Sequence, residues 1–150
     1  MFRTRFSKTS CNDRRRGQAA IEFTLAVPVL LLVMTGALSF GLALHNFLLL
    51  TNSVNIGAQL LAESRGQTTD PCATAYSAIS SAAPSLASSL TLSFVINGVS
   101  YPSTNTCSAG ASNMVQGASA QIKASYPCSL AIVDMAHTCS LATQVTEYIQ

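Results

Sequence analysis

Near the C-terminus, Asp134, His137 and Ser140 supply the three side-chain types of a hydrolase triad: a carboxylate, an imidazole and a hydroxyl. They lie three residues apart without the glycines of a nucleophile elbow, and a triad is recognised by geometry rather than by residue types. The simpler interpretation is a polar turn between two strands. Phosphate-binding loops and paired-carboxylate signatures are also missing, so we expect no enzymatic activity and no cofactor.

A metal site is the second chemistry that this region offers, through Cys128, His137 and Cys139. Strong zinc signatures carry CxxC pairs or a second histidine, and this region has neither. Of the five cysteines in the chain, Cys11 lies near the N-terminus and the other four lie beyond residue 70. An even set of four is typical of disulfides formed in an oxidising compartment, so we expect disulfides rather than a metal.

Four cysteines permit three pairings. We favour the sequential one, Cys72 with Cys107 and Cys128 with Cys139, because it closes the shorter loops. A domain this small buries little apolar area by itself, so disulfides and packing against a long helix are its expected supports.

Charged residues make up only 9% of the chain, compared with about 25% in ordinary soluble domains. They are also segregated: residues 1–17 carry six basic and one acidic side chain, whereas residues 18–150 carry two basic and five acidic ones. A basic N-terminal segment can bind nucleic acid. Beside an apolar run, however, it is better explained by the positive-inside bias, which keeps such a segment cytoplasmic. We therefore expect no nucleic-acid partner.

The apolar run covers residues 23–44, 22 residues without an ionisable side chain. As a helix it would be about 33 Å long, enough to cross the hydrocarbon core of a membrane. Pro28 leaves the Thr24 carbonyl without its usual donor, so we expect a bend there. His45 is expected at the outer membrane interface.

Beyond His45 the pattern becomes amphipathic, which predicts one continuous helix over residues 20–64. The residues of this pattern are Leu48, Leu49, Asn52, Val54, Ile56, Leu60 and Leu61. A secretory signal peptide is the competing interpretation, since it too places an apolar segment after a basic head. Its apolar region is about 7 to 15 residues long, shorter than this run, and no clean small-x-small site precedes a polar stretch here.

Glu22 lies at the entrance of the predicted span, where a carboxylate costs energy and persists mainly with a function or a partner. The simplest alternative is an interfacial glutamate that reaches the headgroups. However, Glu22 is the fifth residue after Gly17, Gly17 follows the basic residues, and Phe23 comes next. This arrangement resembles the processing site of type IV pilin-like precursors, in which prepilin peptidase cuts after the glycine and leaves glutamate at the fifth mature position.

Within that class, residues 14–66 are similar to the TadE-like family of tight-adherence (Flp) pilus pseudopilins. The family pattern is a basic residue, Gly-Gln-Ala, a two-residue step to Glu-Phe, an early proline, and an exit segment with asparagine and an alanine-rich continuation. The matching residues are Arg16, Gly17, Gln18, Ala19, Glu22, Phe23, Pro28, Asn52 and Ala58. The mature chain would begin at Gln18, where the better-known pilins usually have phenylalanine.

The resemblance implies a pseudopilin, a structural or assembly subunit of a tight-adherence pilus, cut between Gly17 and Gln18 and assembled through Gln18, Glu22 and Phe23. It implies as partners the inner membrane, prepilin peptidase, other pilin-like subunits, and pilus platform proteins with their secretion ATPase. The expected location is the bacterial inner membrane, as a single-pass protein with a cytoplasmic N-terminus and a periplasmic C-terminal domain, and then the pilus. The alternative is an unprocessed single-span protein that displays an extracytoplasmic binding domain.

The expected fold class is α+β, with a long membrane-spanning helix that continues into a small antiparallel-sheet domain. The expected segments are a leader at 1–17, the helix at 18–64 and an exported domain at 65–150. In that domain Asp70 and Pro71 predict the start of a helix over residues 72–83, which Pro84 ends.

Strand signals follow this short helix. The apolar positions of the first strand are Leu90, Leu92, Phe94 and Ile96. Asn97-Gly98 is a strong hairpin dipeptide. Residues 118–126 and 141–149 also read as strands, giving a sheet of three or four strands, with residues 100–119 an exposed loop. The inner-face candidates of the two later strands are Ala120, Ile122, Ala124, Tyr126, Leu141, Val145 and Ile149.

Overall fold

The computed structural model describes residues 13–101, 105–132 and 135–150, with the side chains of these residues except at 13–16 and 129–138. The chain divides into two compact units, Met1–Leu38 and Ser39–Gln150. Cys11 and the basic residues before position 13 lie outside the described residues.

Helix α1, Asp13–Glu63, contains the whole apolar run and its amphipathic continuation. The predicted continuous helix is confirmed, but it extends back at least to Asp13, the first described residue, rather than starting near residue 20. The apolar pattern does not extend that far, yet arginine is a good helix former. Pro28 lies inside the helix, and the bend expected there stays a prediction.

Helix α2, Pro71–Ala82, starts at the predicted Pro71 and ends one residue before the predicted Ala83, which is its C-cap. Asp70 is its N-cap, its side chain accepts the Ala73 N–H, and Pro71 occupies the first helical position. Proline is favoured there because a backbone N–H at this position has no acceptor within the helix, so its absence loses no hydrogen bond. A short 3₁₀ helix at Ala87–Ser89 leads from α2 to the sheet.

The sheet has four antiparallel strands: β1, Thr91–Ile96; β2, Val99–Tyr101; β3, Ser119–Ile132; and β4, Met135–Tyr148. Their order in the sheet is β2-β1-β3-β4. The predicted α+β class with an antiparallel sheet is therefore confirmed.

The β1–β2 turn is formed by Asn97 and Gly98, with φ of 50° and 79°. Both values lie in the left-handed region that a tight hairpin of this type requires, and asparagine and glycine are the residues that adopt it most readily. The predicted hairpin is therefore confirmed.

β3 and β4 are longer than predicted. β1 pairs with β3 only between Ile96↔Ala120 and Thr91↔Ser125, whereas β3 and β4 stay paired as far as Ile132↔Met135. Pro127 therefore lies where β3 has a single neighbouring strand, a position at which a sheet tolerates proline. The extended part of the two strands is held by backbone hydrogen bonds between β3 and β4. Alternation of apolar residues could not predict it, because backbone pairing does not require that pattern.

The core of the second unit lies between the sheet, α2 and the C-terminal half of α1. Its largest fully buried side chains include Leu50, Leu61, Ile79, Leu86, Phe94, Ile96, Ile122 and Ile149. Ala120, Ile122 and Ala124 on β3 are buried as predicted, and Tyr126, Leu141 and Val145 pack against this core. The predicted sheet face is thus confirmed.

Residues 100–119 are not simply an exposed loop, and this prediction was wrong. They contain a 3₁₀ helix at Ser108–Asn113, and Cys107, Gly110 and Met114 are buried. The Ser64 hydroxyl lies 3.7 Å from Met114 Sδ. The segment is rich in small polar residues, but the disulfide and the methionine hold it against the core.

The face of α1 that enters the core also differs from the predicted pattern. Its buried residues are Leu50, Ser53, Val54, Gly57, Ala58, Leu61 and Ala62. Leu48 remains 61% exposed, Ile56 38% and Leu60 39%. The buried face of α1 contains small residues where it packs against α2, so hydrophobicity alone did not identify this face.

Candidate processing and assembly site

The entrance of α1 carries the residues predicted for processing and assembly. Gly17, Gln18 and Glu22 are exposed, and Phe23 is 70% exposed. The Gln18 side chain donates from Nε2 to Glu22 Oε1 at 3.4 Å, across one helical turn. Gln18 and Glu22 therefore share one face of the helix.

The predicted scissile bond, between Gly17 and Gln18, lies within α1. Apart from its chain neighbours and the adjacent backbone of the helix, no described atom lies within 4 Å of the position that a Cβ on Gly17 would take. Glycine in a helix interior costs about 1 kcal/mol relative to alanine. Packing within the described chain therefore does not require glycine here, and glycine makes local unwinding of the helix easier.

Among the described residues, one helix is long and apolar enough to cross a membrane: Gly17–Glu63, with a mean hydropathy of 2.2 over an 18-residue window that is not buried. The helix itself satisfies two hydroxyl donors of the run. Thr24 Oγ1 donates to the Ala20 carbonyl and Thr35 Oγ1 to the Leu31 carbonyl, each at 2.7 Å. Length, composition and internal hydrogen bonding therefore support a membrane-anchored protein.

Asp70 joins the start of α2 to the loop that carries Cys107. Its Oδ1 accepts the Ala73 N–H at 2.9 Å and the Cys107 N–H at 2.8 Å. The predicted disulfide between Cys72 and Cys107 is present, with Cα atoms 5.4 Å apart. The sequence indicated the N-cap but not the contact with Cys107, which is 37 residues away.

This group also has the composition of a metal site, since the Asp70 carboxylate and the sulfurs of Cys72 and Cys107 lie within 4.8 Å of one another. Metals bind cysteine as the thiolate, however, and both sulfurs are used in the disulfide. The group is therefore a junction that links α2 to the 105–113 segment.

Cys128 and Cys139 lie directly opposite each other on β3 and β4 and form the second predicted disulfide, with Cα atoms 5.0 Å apart. The zinc alternative that used both cysteines is thereby contradicted, because their sulfurs are bonded to each other. The bond joins the two strands beyond the last residue of β3 that pairs with β1, Ser125.

The triad residue types are divided between described and undescribed parts of the chain. Asp134 lies outside the described residues. His137 and Ser140 belong to β4, opposite Leu130 and Pro127, and Ser140 is exposed. The prediction of a polar turn was wrong for these two residues, because they lie on a paired strand.

Gly57 is a structurally important residue that the sequence did not indicate. It is buried on α1, and a Cβ there would lie 2.6 Å from Ile79 Cδ1 and 3.3 Å from the Ala75 carbonyl oxygen on α2. Glycine lets α1 approach α2 here without displacing the Ile79 side chain. A single glycine in a helix carries no signal of this role until its neighbour is known.

A cleft of about 340 Å³ lies in the second unit, between α1 and the middle of β3. Its lining residues are Ser39, Leu42, Ala43, Asn46, Tyr126, Pro127 and Cys128. The four helical residues are spaced along one face of α1. No local sequence signal predicts this cleft, since its two walls are some 80 residues apart in the chain.

A family model described as TadE-like protein matches residues 17–59, under a third of the chain. The match begins at Gly17 and confirms the predicted resemblance, which suggests a protein associated with the tight-adherence pilus. No curated protein and no solved structure matches the chain significantly.

Proposed function

We propose that this protein is a pseudopilin, a minor structural or assembly subunit of a tight-adherence pilus. The observation that carries the proposal is the helix entrance, where an exposed glutamate follows Gly17 by five residues at the start of a candidate membrane span. The TadE-like match begins at the same glycine.

In this proposal, prepilin peptidase cuts between Gly17 and Gln18 at the cytoplasmic membrane face. A protease needs an extended peptide bond, so α1 must unwind locally before cleavage. Gly17 lowers the cost of unwinding because it is the weakest helix former other than proline. It also leaves the bond unobstructed by a side chain.

Cleavage gives Gln18 a free α-amino group, which is largely protonated at neutral pH. Glu22 lies one turn away on the same face and close to the positive end of the helix dipole, which partly offsets the cost of placing its carboxylate near lipid. The amine of a neighbouring subunit can then pair with this carboxylate. Because an unpaired carboxylate at low dielectric is costly, the pair disfavours neighbours that are out of axial register.

The partners in this proposal are the inner membrane, prepilin peptidase, other pilin-like subunits, and the platform proteins with their secretion ATPase. The basic leader is held in the cytoplasm by the positive-inside bias. The domain after α1 lies in the periplasm, which agrees with its two disulfides, since these persist in oxidising compartments.

The mature N-terminus tests the proposal. The protein is expressed in cells with a tight-adherence pilus system, purified from the membrane, and analysed by N-terminal mass spectrometry. We expect a chain that begins at Gln18, as the free amine or cyclised to pyroglutamate. Cyclisation would remove the positive charge and contradict the pairing of Gln18 with Glu22.

Gly17→Leu should leave the full-length precursor in the membrane. Because no described atom occupies the space of a Gly17 Cβ, the loss of cleavage would reflect the protease rather than misfolding. Gly36→Leu is the matched control, since it also lies in α1 with open space, and its precursor should be cut normally. A wild-type membrane form that begins at Met1 would favour the unprocessed single-span protein. A soluble form that begins beyond His45 would indicate a cleaved signal peptide.

A further inference from the structure

We propose that the cleft between α1 and β3 is a phospholipid site, in which a lipid of the adjoining leaflet inserts between the helix and the base of the β3–β4 hairpin. The cleft is lined on the helix side by Ser39, Leu42, Ala43 and Asn46. The proposal depends on the membrane anchor but not on pilus assembly.

The first argument is the level of the cleft along α1. Leu42 and Ala43 belong to the 22-residue run without ionisable side chains, which ends at residue 44. Asn46 lies just beyond that end, and Leu42 is 67% exposed. If the run spans the hydrocarbon core, the cleft lies at the boundary between acyl chains and headgroups.

The second argument is the direction of the sheet within this unit. At the far end of the unit, the Gln150 N–H donates to the Ala62 carbonyl at 3.3 Å. Ala62 lies about 24 Å along the helix from Asn46, at 1.5 Å per residue. From Gln150 back along β4 to Leu141, which pairs with Tyr126, an extended chain covers about 30 Å at 3.3 Å per residue. β4 therefore runs beside α1, and its pairing with β3 brings Tyr126 to the membrane end of the domain.

The third argument is the chemistry of the lining. Leu42, Ala43 and Pro127 offer apolar surface to an acyl chain. Asn46 and Tyr126 offer an amide and a phenol at the headgroup end, and tyrosine is enriched at this depth because its ring is apolar and its hydroxyl is polar. The lining carries no charged residue, so the site selects a glycerophospholipid by its interfacial polarity rather than by headgroup charge.

Tryptophan fluorescence tests the site directly, because the chain contains no tryptophan. The full-length Tyr126→Trp protein is reconstituted into phosphatidylcholine vesicles with bromine atoms near the glycerol end of the acyl chains. Tyr148→Trp is the matched control, since Tyr148 is 69% exposed near the opposite end of β4. We expect brominated lipid to quench most of the indole emission of the Tyr126→Trp protein and to leave that of the Tyr148→Trp protein unchanged.

A second variant separates entry into the cleft from simple closeness to the membrane. Ala43→Leu adds apolar volume to the helix wall, so quenching of the indole at position 126 should fall markedly when this change is combined with Tyr126→Trp. Unchanged quenching would show that the lipid does not enter the cleft and would overturn the proposal. A blue-shifted, unquenched emission from position 126 would overturn the proposal and indicate that protein fills the cleft. An emission like that of the Tyr148→Trp control would also overturn it and indicate that water fills the cleft.

Discussion

Because α1 and α2 approach closely at Gly57, the effect of Gly57→Ala on stability should depend on the side chain at position 79. A Cβ at position 57 would lie 2.6 Å from Ile79 Cδ1, and Ile79 is fully buried. Overpacking of this kind costs about 1–3 kcal/mol, whereas replacing glycine by alanine in a helix gains about 1 kcal/mol. We therefore expect Gly57→Ala to lower the free energy of unfolding of the second unit by about 0–2 kcal/mol.

Ile79→Ala removes the side-chain atoms that meet the new Cβ. Alone it should cost about 2–5 kcal/mol, as a large-to-small core substitution does. In that background Gly57→Ala fills part of the vacated space and keeps its helix-forming gain, so it should stabilise by about 1 kcal/mol. The two changes are thus coupled by about 1–3 kcal/mol, well above the additivity error of distant sites.

Thermal unfolding of the full-length protein in detergent, followed by tyrosine fluorescence, measures this coupling. All four tyrosines lie after α1, so the signal reports the domain that follows α1 rather than α1 itself. Gly41→Ala is the matched control on α1, because its Cβ would meet no described atom, and it should not lower stability. The reasoning fails if Gly57→Ala has the same effect with isoleucine and with alanine at position 79.

Three further predictions follow from the assembly face and the junctions of the domain. Glu22→Ala should leave processing and membrane insertion intact but reduce cross-linking to other pilin-like subunits; normal incorporation into pili would leave Glu22 an interfacial residue only. Asp70→Ala removes the acceptor of two backbone N–H groups and should destabilise the domain by about 1–3 kcal/mol, whereas Asp70→Asn, which keeps an oxygen acceptor, should lose less in the same melts. Replacing Cys72 and Cys107 together by serine should lower the free energy of unfolding by about 2–5 kcal/mol. Non-reducing peptide mapping of the wild type should recover both disulfides, and four free thiols would contradict the proposed location outside the cytoplasm.

The sequence determined the features that rest on local signals. The apolar run, the Asp70-Pro71 helix start and the Asn97-Gly98 turn each depend on a few adjacent residues whose backbone preferences act over one or two turns. The residues of the helix entrance, from Gly17 to Phe23, were singled out by their position before the apolar run and by their resemblance to pilin-like precursors, and their role stays a proposal. The disulfide partners followed from loop length, since the nearest available cysteines paired.

Tertiary structure decided everything that depends on a partner distant in the chain. Which stripe of α1 is buried was set by the approach of α2, which selected Gly57 and left Leu48 exposed. The burial of Cys107, Gly110 and Met114 depends on the Cys72 disulfide and on packing of Met114 near Ser64. The cleft beside Ala43 exists only because β3 runs along the helix. Burial and close approach are properties of pairs of surfaces, so hydrophobic periodicity in one segment cannot specify them until its partner is in place.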